Sequence, residues 1–113
     1  MADQIFPFET LKKFTTSAFK KIGCSNEQAE LATEVLLSAD LRGIDSHRVA
    51  RLSGYIRLWE AKRINAIPNI HIIHESPSTA VVDGDGGLGL VVAPYAMKVA
   101  IEKAKQCGTG WVS

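Results

Sequence analysis

The chain places a hydroxyl, an imidazole, a guanidinium and a phenol close together in sequence. Ser46 and His47 are adjacent, Arg51 follows His47 by four residues, and Tyr55 follows Arg51 by four. An imidazole can exchange a proton near neutral pH, and a guanidinium can hold a carboxylate through two parallel hydrogen bonds. These residue types therefore predict a site for a small 2-oxo or 2-hydroxy acid.

A predicted third helix, starting after Asp45 or Ser46 as its N-cap and ending near Lys62, must position these side chains. At about 100° per residue, it would place His47, Arg51 and Tyr55 on one face. Each residue also has a simpler structural role open to it. Ser46 can be only the cap, and the other three can form the polar stripe that is common on exposed helical faces.

The remaining pattern predicts an α+β fold that is not a Rossmann fold. Two further helices precede this one: the first follows Pro7 and ends near Ile22, and a capping box at 25–28 opens the second, which ends near Gly43. A strand pair (70–74 and 80–82), a helix (about 90–106) and the start of a strand lead into a mixed sheet. We expect a helical part (about 1–66) and the start of an α/β part (about 67–113), together one N-terminal segment of a longer enzyme.

Composition argues against several functional classes. The chain has 113 residues, a net charge of +1 and 46% hydrophobic residues, without the basic patch that nucleic-acid binding needs. Its apolar runs are too short to span a membrane, and without a signal peptide we expect a cytoplasmic protein whose two cysteines are reduced. Because His71 and His74 should lie on opposite faces of a strand, we predict no metal site.

The glycine turn, residues 84–89, matches the dinucleotide-binding fingerprint letter for letter, between a predicted strand and a predicted helix. Asp83 and Asp85 flank its first glycine, and their carboxylates would oppose a pyrophosphate at a helix N-terminus. The acidic residue expected about 20 positions later lies at or beyond the last residue of the chain. A tight structural turn is therefore the favoured interpretation, with a phosphate cradle as the alternative.

The stretch Asp40-Leu-Arg-Gly-Ile-Asp-Ser-His-Arg-Val-Ala-Arg-Leu-Ser-Gly-Tyr55 resembles the malate/L-lactate dehydrogenase family, which typically reads Asp-x-x-Gly-x-x-Ser-His-Gly-x-x-Arg-x-x-x-Tyr there. The resemblance continues through most of the chain. It implies a homodimeric oxidoreductase that uses NAD or NADP, held mainly by residues beyond position 113, to interconvert a 2-hydroxy acid and its 2-oxo acid.

By the same resemblance, His47 is the proton donor and acceptor, Ser46 orients it, Arg51 holds the substrate carboxylate and Tyr55 lines the pocket. Arg48 departs from the family, which usually has glycine there. Helical geometry places Arg48 about 100° from His47, where it could add a second cation for a dianionic substrate, block the pocket or point outward. Two other functions stay open: a non-catalytic helical assembly or dimerisation module, and a small nucleotide-binding domain built on the glycine turn.

Overall fold

The computed structural model describes residues 4–113, except for the side chain of Asp45, and residues 1–3 lie outside the description. Its first two helices, α1 (Phe8–Lys21) and α2 (Asn26–Leu41), pack together as a helical hairpin. Gly23, at φ +111°, turns the chain between them. The Ser25 hydroxyl accepts a hydrogen bond from the backbone N–H of Gln28 at 3.2 Å, which confirms the predicted helix start.

The end of α2 directs the chain toward Ser46 and His47. Gly43 adopts φ +68°, and the N–H of Ile44 donates to the Ala39 carbonyl at 2.9 Å. The N–H of Gly43 donates to the Asp40 carbonyl at 3.1 Å. These two bonds satisfy carbonyls that the last turn would leave unpaired, and they end α2 where the sequence predicts.

The predicted third helix is present, but its α-helical part is shorter than predicted and begins only at Leu52. The histidine loop, residues 45–51, instead contains two short 3₁₀ turns, Asp45–His47 and Val49–Arg51, on either side of an extended Arg48. Only Leu52–Glu60 is α-helical (α3), and Arg51 precedes it without a side-chain cap. The Asp40 carboxylate accepts the Val49 N–H at 2.8 Å. That bond gives the Val49 N–H a partner directly after the extended Arg48, where the second 3₁₀ turn begins.

The second part of the chain is a small mixed sheet covered by a helix. Strands β1 (His71–Glu75) and β2 (Thr79–Asp83) are antiparallel, and β3 (Trp111–Val112) is parallel to β2. Helix α4 (Gly89–Cys107) connects β2 to β3. The strand order β1-β2-β3, together with the preceding helices, confirms the α+β prediction.

The prediction that His71 and His74 lie on opposite faces of a strand is wrong, because β1 contains a bulge between them. The register shifts at Ile73, so His71 lies opposite Asp83 and His74 lies opposite Val81. Since alternate residues of β2 share a face, both histidines lie on the same exposed face of the sheet. The described residues nevertheless contain no group of three potential metal ligands.

One core joins the two parts of the chain. Phe19 of α1 is fully buried, and Leu36 of α2, Leu52 of α3, and Leu88 and Val91 near the start of α4 are almost so. Leu52 directly follows Arg51, so its burial fixes the end of the histidine loop to the core. Within residues 4–113, no helix is long and apolar enough to cross a membrane.

Candidate functional site

Ser46 and His47 form a hydrogen-bonded pair at the surface. Ser46 Oγ lies 2.7 Å from His47 Nδ1, and both side chains are exposed. A hydroxyl can donate to a neutral imidazole or accept from a protonated one, so this contact can persist in both charge states. The other ring nitrogen, Nε2, makes no hydrogen bond with any described residue. The arrangement leaves one nitrogen of an oriented imidazole available for proton transfer.

Arg51 is anchored to the same serine. Its Nε donates to the Ser46 carbonyl at 2.8 Å, and the two Nη groups of the guanidinium remain available. The two 3₁₀ turns, and not a shared helical face, therefore bring Ser46, His47 and Arg51 together. An imidazole and a guanidinium held by one residue can act on neighbouring groups of one small molecule.

Asp40 is a site residue to which the sequence analysis assigned no role. Its carboxylate bonds the Val49 N–H nine positions later and so holds the histidine loop against the end of α2. An acidic side chain near a helix C-terminus is disfavoured by the helix dipole. That unfavourable position is the sequence signal that could have identified Asp40 as a loop anchor.

Tyr55 and Arg48 have different surroundings. Tyr55 is half-buried, packs against the core, and lines one groove with Arg51. Arg48 is half-buried and does not line that groove. Its φ of −79° is open to any residue, so arginine replaces the family glycine without backbone strain. Because Arg48 is extended, its predicted helical placement relative to His47 is wrong.

Two N–H groups of the glycine turn form hydrogen bonds inside the turn. The N–H of Gly87 donates to the Gly84 carbonyl at 2.8 Å, and the N–H of Asp85 donates to the Asp83 carboxylate at 2.7 Å. A Cβ at Gly87 would lie 2.8 Å from Pro68 Cγ, so the missing side chain makes room for protein. A pyrophosphate held in this turn would compete for those two N–H groups and for that space. These contacts favour a structural turn over a dinucleotide-binding one.

The two cysteines differ in environment. Cys24 belongs to the core, and burial raises the pKa of its thiol, whereas Cys107 is exposed. The Cys107 sulfur lies 3.4 Å from the Pro77 carbonyl oxygen and 3.2 Å from that of Thr109, and its one hydrogen can be donated weakly to either. Neither cysteine contacts Ser46, His47 or Arg51, so neither belongs to this site.

Comparison with known proteins assigns the family. The model of the malate/L-lactate dehydrogenase family matches residues 6–113. The L-sulfolactate dehydrogenase of Methanocaldococcus jannaschii is 45% identical over 105 residues, which cover 93% of this chain and 30% of that relative. The malate dehydrogenase of Pyrococcus abyssi is 45% identical over 107 residues, with 95% and 30% coverage.

Solved structures agree with this assignment. The sulfolactate dehydrogenase of M. jannaschii superposes with a TM-score of 0.93 at 44% identity, covering 96% of this chain and 32% of that one. The malate dehydrogenase of Pyrococcus horikoshii gives a TM-score of 0.89 at 38% identity, covering 99% and 34%. The chain thus spans about 30% of the length of these relatives, and over that span it belongs to the malate/L-lactate dehydrogenase family.

Proposed function

We propose that this chain contributes the substrate-binding and proton-transfer residues of an oxidoreductase that interconverts a small 2-hydroxy acid and its 2-oxo acid. The observation that carries the proposal is the joint anchoring of His47 and Arg51 on Ser46. The three relatives described above are named as dehydrogenases of 2-hydroxy acids, malate or sulfolactate. Family membership and site geometry therefore support the same chemistry.

In the reducing direction, His47 Nε2 gives a proton to the carbonyl oxygen as that oxygen gains negative charge. The imidazolium becomes a neutral imidazole that keeps its proton on Nδ1, so the Ser46 hydroxyl accepts a hydrogen bond from Nδ1 before and after the transfer. In the oxidising direction, Nε2 takes the proton from the hydroxyl group. Ser46 is in both directions a positioning residue, because it fixes the ring through the nitrogen that does not react.

Arg51 binds the carboxylate next to the reacting carbon. Its Nε bond to the Ser46 carbonyl restrains the guanidinium, so less freedom is lost when the Nη groups bind substrate. A carboxylate held there presents the adjacent carbonyl to His47 in a fixed orientation. Tyr55, which lines the same groove, forms part of the pocket wall.

A nicotinamide cofactor, NAD or NADP, supplies or accepts the hydride in this proposal. Because the contacts of the glycine turn favour a structural role, we assign no cofactor-binding role to it, and family membership supports the cofactor. The homodimer, the cytoplasmic location and the division near residue 66 stay predictions from the sequence. A non-catalytic assembly module stays the alternative, and it predicts self-association without turnover of any 2-oxo acid.

Replacement of His47 by alanine tests the proposal. In the complete natural protein, we expect kcat for the reduction of oxaloacetate or pyruvate to fall by about 10² to 10⁴-fold. The rate is measured as the oxidation of NADH or NADPH. The unfolding midpoint should not change, because His47 is exposed. His74→Ala, at an exposed histidine outside the site, is the matched control. Near-normal turnover by His47→Ala would remove the acid–base assignment, and a wild-type protein without turnover would contradict the proposed function.

A further inference from the structure

The peptide group between Arg48 and Val49 lies inside the histidine loop, and both of its polar atoms are used. Its N–H donates to the Asp40 carboxylate at 2.8 Å, and its carbonyl accepts the Arg51 N–H at 2.9 Å. A peptide unit is planar and rigid, so a carboxylate that fixes the N–H also fixes the direction of the carbonyl. Asp40 is therefore connected to the backbone of Arg51 through one rigid group.

Arg51 is consequently held at two points. Its backbone N–H bonds the peptide group that Asp40 fixes, and its side-chain Nε bonds the Ser46 carbonyl at 2.8 Å. His47 depends less on Asp40, because it belongs to the first 3₁₀ turn and its own N–H donates to the Ile44 carbonyl at 3.3 Å. Loss of the Asp40 contact should therefore disturb Arg51 more than His47.

The position of Asp40 is not explained by the stability of its own helix. It lies in the last turn of α2, where the helix dipole disfavours a negative charge, and aspartate is a poor helix former. Asp40 is half-buried, and its carboxylate forms no ion pair with a described residue. Within residues 4–113, the Val49 N–H is its one side-chain hydrogen-bond partner. Asp40 therefore contributes through the loop that it holds.

We propose that Asp40 is a positioning residue for Arg51 and, through Arg51, for the substrate carboxylate. The inference rests on the proposed function, in which Arg51 binds that carboxylate. A guanidinium whose backbone and side chain are both restrained loses less freedom on binding, and it holds the substrate in one orientation. Asp40 itself does not touch the substrate, since its effect passes through the peptide group between Arg48 and Val49.

Asp40→Ala in the complete natural protein tests this assignment. We expect the KM for oxaloacetate to rise about tenfold, with a much smaller fall in kcat. Asp40→Asn keeps an oxygen acceptor at the same position and should restore most of the wild-type KM. Glu34→Ala is the matched control, because it removes from α2 an exposed carboxylate that bonds no described residue, and it should change neither constant. A fall in kcat with an unchanged KM in Asp40→Ala would overturn the assignment.

Double variants show whether Asp40 acts through Arg51. If it does, Asp40→Ala should raise the KM no further in a protein that already carries Arg51→Ala, because the effects of coupled residues do not add. In a protein that carries His47→Ala, the rise of about tenfold should persist. An equal rise in both backgrounds would mean that Asp40 supports the whole loop, and it would overturn the assignment to Arg51.

Hydrogen–deuterium exchange separates this assignment from the proposed function, because it requires no turnover. We expect residues 48–52 to take up deuterium faster in Asp40→Ala than in wild type, and at the wild-type rate in Asp40→Asn and Glu34→Ala. Faster exchange in a protein that reduces no 2-oxo acid would retain Asp40 as the anchor of Arg51 and overturn the dehydrogenase proposal. Unchanged exchange and an unchanged KM in Asp40→Ala would overturn the assignment and leave the proposed function intact.

Discussion

The histidine loop and the glycine turn both carry sequence motifs for chemistry, yet the two segments use their polar groups differently. In the histidine loop, the Ser46 hydroxyl contacts His47 and the Ser46 carbonyl accepts a hydrogen bond from Arg51. The Nε2 atom of His47 and the Nη groups of Arg51 form no hydrogen bond with the described residues. In the glycine turn, the N–H groups of Asp85 and Gly87 are already used inside the turn. A motif therefore indicates a site only when folding leaves its donors and acceptors available.

The same comparison applies to the two aspartates that hold these segments. Asp40 accepts one backbone N–H, from Val49, and shapes a loop whose functional side chains remain exposed. The Asp85 carboxylate accepts the N–H of Asn69 at 2.8 Å and the side-chain amide of Asn65 at 3.1 Å. In both segments a carboxylate fixes the backbone, but in the histidine loop the side chains of His47 and Arg51 keep hydrogen-bonding groups that the described residues do not use.

Ser46→Ala gives the largest effect that we expect from this comparison, because it removes the hydroxyl and retains the backbone carbonyl. His47 loses its Nδ1 contact, while the Arg51 Nε bond to the Ser46 carbonyl persists. We expect kcat to fall by up to about 100-fold with little change in KM, measured in the 2-oxo acid reduction assay. The unfolding midpoint should not move, since the Ser46 side chain is exposed.

A structural role for Ser46 would give a different result. The pH profile of kcat should shift in Ser46→Ala, because the hydroxyl contacts the ring that transfers the proton in this proposal, and Ser46→Thr should restore most activity by returning a hydroxyl. A fall in stability without a change in the pH profile would assign Ser46 to folding alone. A parallel rise in KM would show that the serine hydroxyl also supports Arg51.

The sequence predicts those parts of the fold that local contacts decide. The Ser25 cap lies three residues from its donor, and Gly23 and Gly43 each end a helix within one turn. The helix–strand order and the mixed sheet were predicted correctly for the same reason: periodicity and turn residues are short-range signals. Family resemblance was equally accessible, because the Ser46–His47 segment is a short contiguous motif.

The parts that sequence did not predict depend on longer-range contacts. The Asp40 carboxylate accepts the Val49 N–H from nine positions away, and two 3₁₀ turns lie where the sequence predicts the start of a helix. The bulge at Ile73 inverts the alternation on which the placement of His71 relied. The types of the site residues were therefore predictable, whereas their geometry required the tertiary contacts. Their catalytic roles stay predictions that the variants test.

Gly87→Ala tests the glycine turn and has the second-largest expected effect. The new Cβ would lie 2.8 Å from Pro68 Cγ and 3.0 Å from the Gly84 carbonyl oxygen. We expect the free energy of unfolding, measured by urea denaturation, to fall by about 1–3 kcal/mol, as for other overpacked sites. Gly89→Ala is the matched control, because its Cβ would meet nothing within 4 Å.

A nucleotide cradle would reverse this pattern. If the glycine turn bound a pyrophosphate, Gly87→Ala would remove nucleotide binding and leave the free energy of unfolding near its wild-type value. Loss of stability in Gly87→Ala but not in Gly89→Ala would instead show that the missing side chain serves packing against Pro68.

Asp85→Ala has the smallest expected effect, because Asp85 is exposed and water competes for its hydrogen bonds. The change removes the acceptor of the Asn69 N–H and places alanine at φ +49°, a conformation that aspartate and asparagine tolerate better. We expect the free energy of unfolding to fall by about 1–2 kcal/mol. Asp85→Asn retains an oxygen acceptor and suits this φ, so its loss should be much smaller. Equal losses in the two variants would mean that the negative charge, and not the acceptor geometry, holds the turn against residues 65–69.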